Sequence, residues 1–93
     1  MKQYYRARHI LLEDEEDALE VISLIKSGNK FEELAKEYSE CESGSNGGNL
    51  GKFSSGSMVA EFEKALYHMK VGEISKPVQT KFGFHIIEKL ELN

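Results

Sequence analysis

Residues 75–92 read SKPVQTKFGFHIIEKLEL, and their punctuation decides how the rest of the chain is arranged. Phe82 to Leu92 is rich in β-branched and aromatic residues and reads as a strand entered through Gly83. Pro77, the only proline, cannot donate to a strand ladder, so Ser75 to Thr80 reads as a strand that lies at a sheet edge or carries the proline at its start. The gap from Thr80 to Gly83 is short enough for a hairpin. The chain therefore ends in an antiparallel pair.

At the other end, Tyr4 to Leu12 alternates. Tyr5, Ala7, His9 and Leu11 share one face and Arg6 and Arg8 the other, the pattern of a half-buried strand. Between these strands the period changes. Ala18, Val21, Ile22 and Ile25 fall at helical spacing behind the acidic run Glu13 to Asp17, which suits the positive end of a helix, and Lys26 with Gly28 supplies the stop. Asn29 with Glu32 resembles a capping box, followed by an apolar stripe of Phe31, Leu34, Ala35 and Tyr38 that ends near Ser39. Glu40 to Gly48 is polar and glycine-rich and reads as a loop; Asn49 to Ser54 reads as a short strand carrying Leu50 and Phe53. Val59, Phe62, Ala65, Leu66 and Met69 make a third helix that closes at Gly72. The order is strand, helix, helix, loop, strand, helix, strand, strand. An α+β domain with a small antiparallel sheet and helices packed on it satisfies this order.

Ninety-three residues, 40% of them apolar and 30% charged, are the makeup of one soluble globular domain covering 1–93. The net charge of −4, with scattered basic residues, argues against a nucleic-acid partner. No apolar run is long enough for a signal peptide core or a membrane span. A single cysteine, Cys41, cannot close an internal disulfide and favours a reducing compartment, so a cytoplasmic protein is expected. The lack of an excess apolar stripe suggests a monomer.

The stretch from Gly44 to Met58, GSNGGNLGKFSSGSM, invites comparison with a phosphate-binding loop. The comparison fails, because counting back from Gly51 and Lys52 puts Asn46 at the first glycine position and Phe53 after the lysine. These glycines instead suit tight turns with positive φ and close approach to another segment. Cys41, His9, His68 and His85 lack zinc-motif spacing, so no metal is expected, and His68 should cap helix carbonyls or meet solvent. Cys41 paired with His9 or His85 would suit a cysteine hydrolase, but no protease signature surrounds Cys41. His9 and His85 lie in predicted strands in the similar contexts H-I-L and H-I-I. Each alone is ordinarily a satisfied core or surface residue. Together they can hydrogen-bond across adjacent strands, one ring donating and the other accepting.

HILL at 9–12, SGNKFEELAKEYS at 27–39 and GGNLGKFSSGSMVAEFEKALYHMKVGEISKPVQTKFGFHII at 47–87 resemble the parvulin family of peptidyl-prolyl cis/trans isomerases over nearly the whole chain. The resemblance implies a four-stranded antiparallel sheet surrounded by about four helices, in the order β-α-α-α-β-α-β-β, one helix more than the pattern above supplies. It implies that Leu50, Met58 and Phe62 form the pocket for the substrate proline ring, with Phe82 lining the same cleft. His9 and His85 match the family's paired histidines, and Thr80 the hydroxyl bonded into that pair. Cys41 matches a position that is Cys or Asp among members, so a covalent thiol adduct is not required. No cofactor is implied.

The expected activity is noncovalent rotation of X-Pro bonds in unfolded or flexible protein segments, assisting folding, with proline-containing peptides and unfolded proteins as partners. Members specific for phosphorylated Ser-Pro or Thr-Pro carry a long basic loop after the first strand. Here Leu12 runs into five acids, so phosphate dependence is not expected. Many relatives have proline where this chain has Ala60. Two rivals predict different behaviour: a peptide-binding chaperone module would show little turnover, and a thiol enzyme would be abolished by Cys41→Ser. For Met58 and Phe62 the competing reading is plain core packing at the start of an amphipathic helix.

Overall fold

The computed structural model describes residues 3–92. Its elements are β1 (Tyr4–Leu12), α1 (Glu15–Lys26), α2 (Phe31–Tyr38), β2 (Asn49–Ser54), α3 (Ala60–His68), β3 (Val78–Thr80) and β4 (Gly83–Leu90). The strands form one antiparallel sheet in the order β2-β1-β4-β3. The hairpin is formed, and Pro77 stands just before an edge strand. That strand is shorter than the sequence suggests. Before Pro77 the chain still tracks β4, through Ser75 N–H donating to Ile87 O and a bridge between Ile74 and Glu88.

Both faces of the sheet are covered. On one, Ile10, Leu12 and Ile86 pack with Ala18 and Val21 of α1 and Phe31, Leu34 and Ala35 of α2; on the other, Tyr5, Ala7 and Ile87 pack with Phe62 and Leu66 of α3 and with Met69. β1 is thus not half-buried but buried on both sides towards its end, because α1 and α2 cover the face on which the arginines start. Arg8 remains there by pairing with Glu32 and Glu88 while its guanidinium lies 5.0 Å from the Phe31 ring centroid. Each fully buried aliphatic side chain in such a core contributes about 1.5–3 kcal/mol.

Three local expectations are corrected. The Asn29–Glu32 capping box does not form: Lys30 is the N-cap of α2, the Asn29 amide donates to Leu24 O, and Glu32 is drawn to Arg8. Tyr38 is exposed rather than part of the apolar stripe: it is the last residue of α2, and the contacts to β1 there are made by the next residues, Ser39 and Glu40, at Leu11. Where the resemblance implies a further helix, residues Glu42–Asn46 make a short 3-10 turn, so the α-helices of the described residues number three. Gly28, with φ 106°, ends α1 in the left-handed conformation expected of it. Among the described residues, no helix is long and apolar enough to cross a membrane.

Lys89, on β4, sends its ammonium to Leu66 O at 3.0 Å and Met69 O at 2.9 Å. A cation is favourable at these carbonyls, and the contact ties the C-terminal end of α3 to the sheet. That helix carries Phe62, so its placement over the sheet determines what the histidine face can become.

Candidate active site

His9 pairs across the sheet with Ile87, and His85 with Leu11. The two histidines are therefore diagonal neighbours on the α3 face, within reach of each other. Their Nδ1 atoms stand 2.9 Å apart, with rings nearly parallel at 14° and 5.1 Å between centroids. His85 Nε2 lies 2.8 Å from Thr80 Oγ1, which also accepts from Phe82 N–H at 3.1 Å. His9 Nε2 lies 3.0 Å from Ser43 Oγ.

Proton placement follows from burial. Thr80 is only 7% exposed. Its hydroxyl proton has a partner only if it donates to His85 Nε2; His85 Nδ1–H then donates to His9 Nδ1, and His9 Nε2–H to Ser43 Oγ. Run the other way, the chain would leave the Thr80 proton buried without an acceptor, at a cost of about 1–3 kcal/mol. The relay thus starts at the β3–β4 turn and ends at the more accessible Ser43 hydroxyl.

Phe62 stands over both imidazoles in T-shaped contact, 5.5 Å from His9 and 5.3 Å from His85 between centroids. Beside it opens a groove of about 400 Å³ lined chiefly by carbon, with His9, His85 and Phe62 meeting Cys41, Leu50, Met58 and Phe82. Seven of the eight residues singled out from the sequence therefore meet around one space. Thr80 stands behind His85 and does not line it. Phe62 is 2% exposed yet opens onto the groove, so core packing and groove lining are both true of it. Phe82, 60% exposed, overhangs the rim.

The glycine-rich stretch builds one wall. Gly48, at φ +83°, lies against β1, where a Cβ would come within 2.3 Å of His9 O. The same contact includes His9 N–H donating to Gly48 O at 2.9 Å. The register of β1 against β2 then shifts between Arg6↔Lys52 and Arg8↔Asn49, an extra β2 residue centred on Gly51 at φ +69°. That bulge resets the alternation, so Leu50 and Phe53 both pack on the α3 side although three positions apart.

Ser43, Leu11 and Val59 were not anticipated. Ser43 lies on the irregular 3-10 turn, where no periodicity points to it. Cys41 lines the groove, but His9 Nε2 spends its bond on Ser43, and no hydrogen bond joins Cys41 to either imidazole among the described residues. His68 is exposed at the end of α3. No group of three His, Cys, Asp or Glu side chains is placed to hold a metal among the described residues.

Burial, and secondarily the neighbouring His85, lowers the His9 pKa from 6.5 to about 4; burial lowers that of His85 as well. Both rings are neutral at pH 7. Because the folded state resists a proton that the unfolded state accepts, the stability linked to His9 is fully present above pH 6.5 and is lost as pH falls towards 4. Between pH 7 and 5, where carboxylates stay largely ionised, His9 alone should remove about 2 kcal/mol, and His85 adds in the same sense. Urea midpoints measured across that interval should fall steadily; a flat profile would contradict the neutral pair.

The profile of the family described as Rotamase, PPIC-type PPIASE domain, matches residues 9–91. The foldase protein PrsA of Geobacillus kaustophilus is 51% identical over 96 residues, covering 95% of this chain and 34% of the relative. The crystal structure of the peptidylprolyl isomerase PrsA from Bacillus anthracis superposes with a TM-score of 0.93 at 47% identity, covering 96% of this chain and 42% of that one. The solution structure of NmPin, the parvulin of Nitrosopumilus maritimus, gives 0.85 at 42% identity, covering 95% and 96%. The chain thus spans about a third of the length of the curated PrsA relative and nearly all of the archaeal parvulin. Sequence profile, relatives and sheet topology converge: the chain belongs to the parvulin family of PPIC-type peptidyl-prolyl isomerases.

Proposed function

We propose that this chain rotates X-Pro peptide bonds in unfolded or flexible proteins without forming a covalent intermediate, and that it does not require a phosphorylated substrate. The observation carrying this reading is the carbon-lined groove that ends on two uncharged, mutually bonded imidazoles.

The barrier to be lowered is about 18–20 kcal/mol and arises from amide resonance. Resonance makes the planar amide more dipolar than the twisted one, so surroundings poor in water and charge favour the twisted form. A cation at the carbonyl would do the opposite. Lowering the pKa of His9 and His85 removes that cation at neutral pH. Leu50, Met58 and Phe62 grip the proline ring, Phe82 covers the rim, and the preceding carbonyl turns above the relay of Thr80, His85, His9 and Ser43. Cys41 serves as wall. Only contacts better made in the twisted state accelerate the step, about tenfold for each 1.36 kcal/mol.

Phosphate independence rests on two features: Glu13 and Asp14 alone connect β1 to α1, and no Lys or Arg among the described residues lines the groove. Exchange spectroscopy on X-Pro peptides tests the whole reading. Leu-Pro and Lys-Pro should exchange faster than Glu-Pro and phosphoserine-Pro, and Cys41→Ser should retain activity within about tenfold, since it removes a wall contact worth about one kcal/mol. Binding of every peptide without exchange would leave only a chaperone-like module. Abolition of exchange by Cys41→Ser would restore the thiol mechanism.

A further inference from the structure

Met58 reaches the groove from a loop that lies between β2 and α3 and belongs to neither. The segment from Ser54 to Val59 leaves β2 through Gly56 at φ +91° and has one internal backbone bond, Ser57 N–H to Ser54 O at 3.2 Å. Ser55 N–H donates to Gln3 O at 2.7 Å, beside the start of β1, and the amides nearest Met58 converge on a single side chain. Gly56 N–H points to both carboxylate oxygens of Glu63, each at 2.9 Å, and Met58 N–H donates to Glu63 Oε2 at 2.8 Å. Glu63 sits in the first turn of α3, whose N-cap Val59 offers no side-chain cap. It reaches back past the helix start, and the next residue before it is Phe62.

We propose that Glu63 is a positioning residue of the groove, acting as a clasp that fixes the Met58 loop against Phe62. The inference rests on the rotamase reading above. A carboxylate accepts charge-assisted bonds from amides, which are stronger than neutral ones. The clasp sets the spacing between two ring-gripping side chains by tying the loop of one to the helix of the other. It touches no substrate. Because Met58 grips the proline ring in planar and twisted forms alike, loosening it should weaken binding more than it slows rotation.

Glu61 provides the control. It lies in the same acidic first turn, is exposed, and makes no hydrogen bond to the loop among the described residues, so Glu61→Ala removes the same charge from the helix end without opening the clasp.

For a Leu-Pro peptide, Glu63→Ala should raise KM about tenfold with kcat within about threefold, the scale of one lost charge-assisted contact. Glu63→Gln, which keeps one acceptor oxygen, should fall between, and Glu61→Ala should match the parent. Amide exchange at Gly56 and Met58 should accelerate in Glu63→Ala. In a double-mutant cycle, adding Glu63→Ala to Met58→Ala should cause no further change. Unchanged KM with released amides, or full additivity with Met58→Ala, overturns the proposal. Should Glu63→Ala fail to fold, Glu63→Gln carries the same comparison. A parent protein that binds the peptide without turning it over defeats the rotamase reading alone; peptide Kd then replaces KM, and a Kd unmoved by opening the clasp overturns the positioning role.

Discussion

Phe62→Ala should cut kcat/KM for a Leu-Pro peptide about 100-fold and lower stability by about 3–5 kcal/mol, because one ring serves the core and the groove together. The ring is 2% exposed, stands in T-shaped contact with both imidazoles, and lies 6.5 Å from Phe53 between centroids. Removing it leaves a cavity beside the histidines, and water entering there would hydrate the carbonyl that has to lose its resonance. The pair would also titrate closer to pH 6.5, since burial is the first cause of its lowered pKa. The stability loss is a large share of what a domain of this size possesses. Phe62→Leu separates the two effects: it fills most of the space, keeps the fold, and gives up the aromatic contacts, worth about 0.5–1.5 kcal/mol, so activity should fall about tenfold. Kinetics at low temperature, with folding verified by the NMR spectrum, provide the check. A folded Phe62→Ala with kcat/KM within threefold of the parent would remove the ring from the mechanism.

What could be read from the sequence divides along a physical line. The hairpin was legible because only a short gap, Thr80 to Gly83, separates two strand-like runs, and Pro77 limited the strand beside it to an edge or to a start at the proline; β3 lies at the edge, with Pro77 just before it. His9 and His85 were legible as a candidate pair because both fall in predicted strands in similar contexts; that they share a face follows from the antiparallel pairing of β1 with β4, which no local pattern states. The groove lining came from resemblance rather than from periodicity, which would have assigned Met58 and Phe62 to the core alone.

The failures are nonlocal choices between competing partners. Asn29 had the right spacing for a cap, but Leu24 O was closer to hand and Arg8, from another element, claimed Glu32. Ser43 carries no pattern, since its role exists only once the 3-10 turn folds back beneath His9. Leu50 and Phe53 would stand on opposite faces of an ordinary strand; the bulge at Gly51 turns them to one side, and a bulge is written in the partner's register as much as in the strand itself. Glu63 belongs to the same class, for a helix-start acid looks like a dipole contact until the loop it clasps is seen.

Gly48→Ala should destabilise the protein by about 4 kcal/mol or more, whereas Gly51→Ala should cost about 1–2 kcal/mol. Both glycines have positive φ, +83° and +69°, so both substitutions incur the left-handed penalty. They differ in what a methyl group would meet. At Gly51 nothing lies within 4 Å; at Gly48 the new Cβ falls 2.3 Å from His9 O and 3.2 Å from both His9 C and His9 N. Those are backbone atoms in a strand paired on both sides, and no rotamer change can move them aside. Relief requires β1 and the Gly48 segment to part, which breaks the His9 N–H to Gly48 O bond. Separation would also move Ser43 from His9 and Leu50 from the groove, so any folded fraction should bind and turn over X-Pro peptides poorly. Urea denaturation of the two variants side by side measures the difference, with the common φ penalty cancelling. Equal midpoints would mean that the close approach of the glycine segment to His9 is not what fixes the wall of the groove.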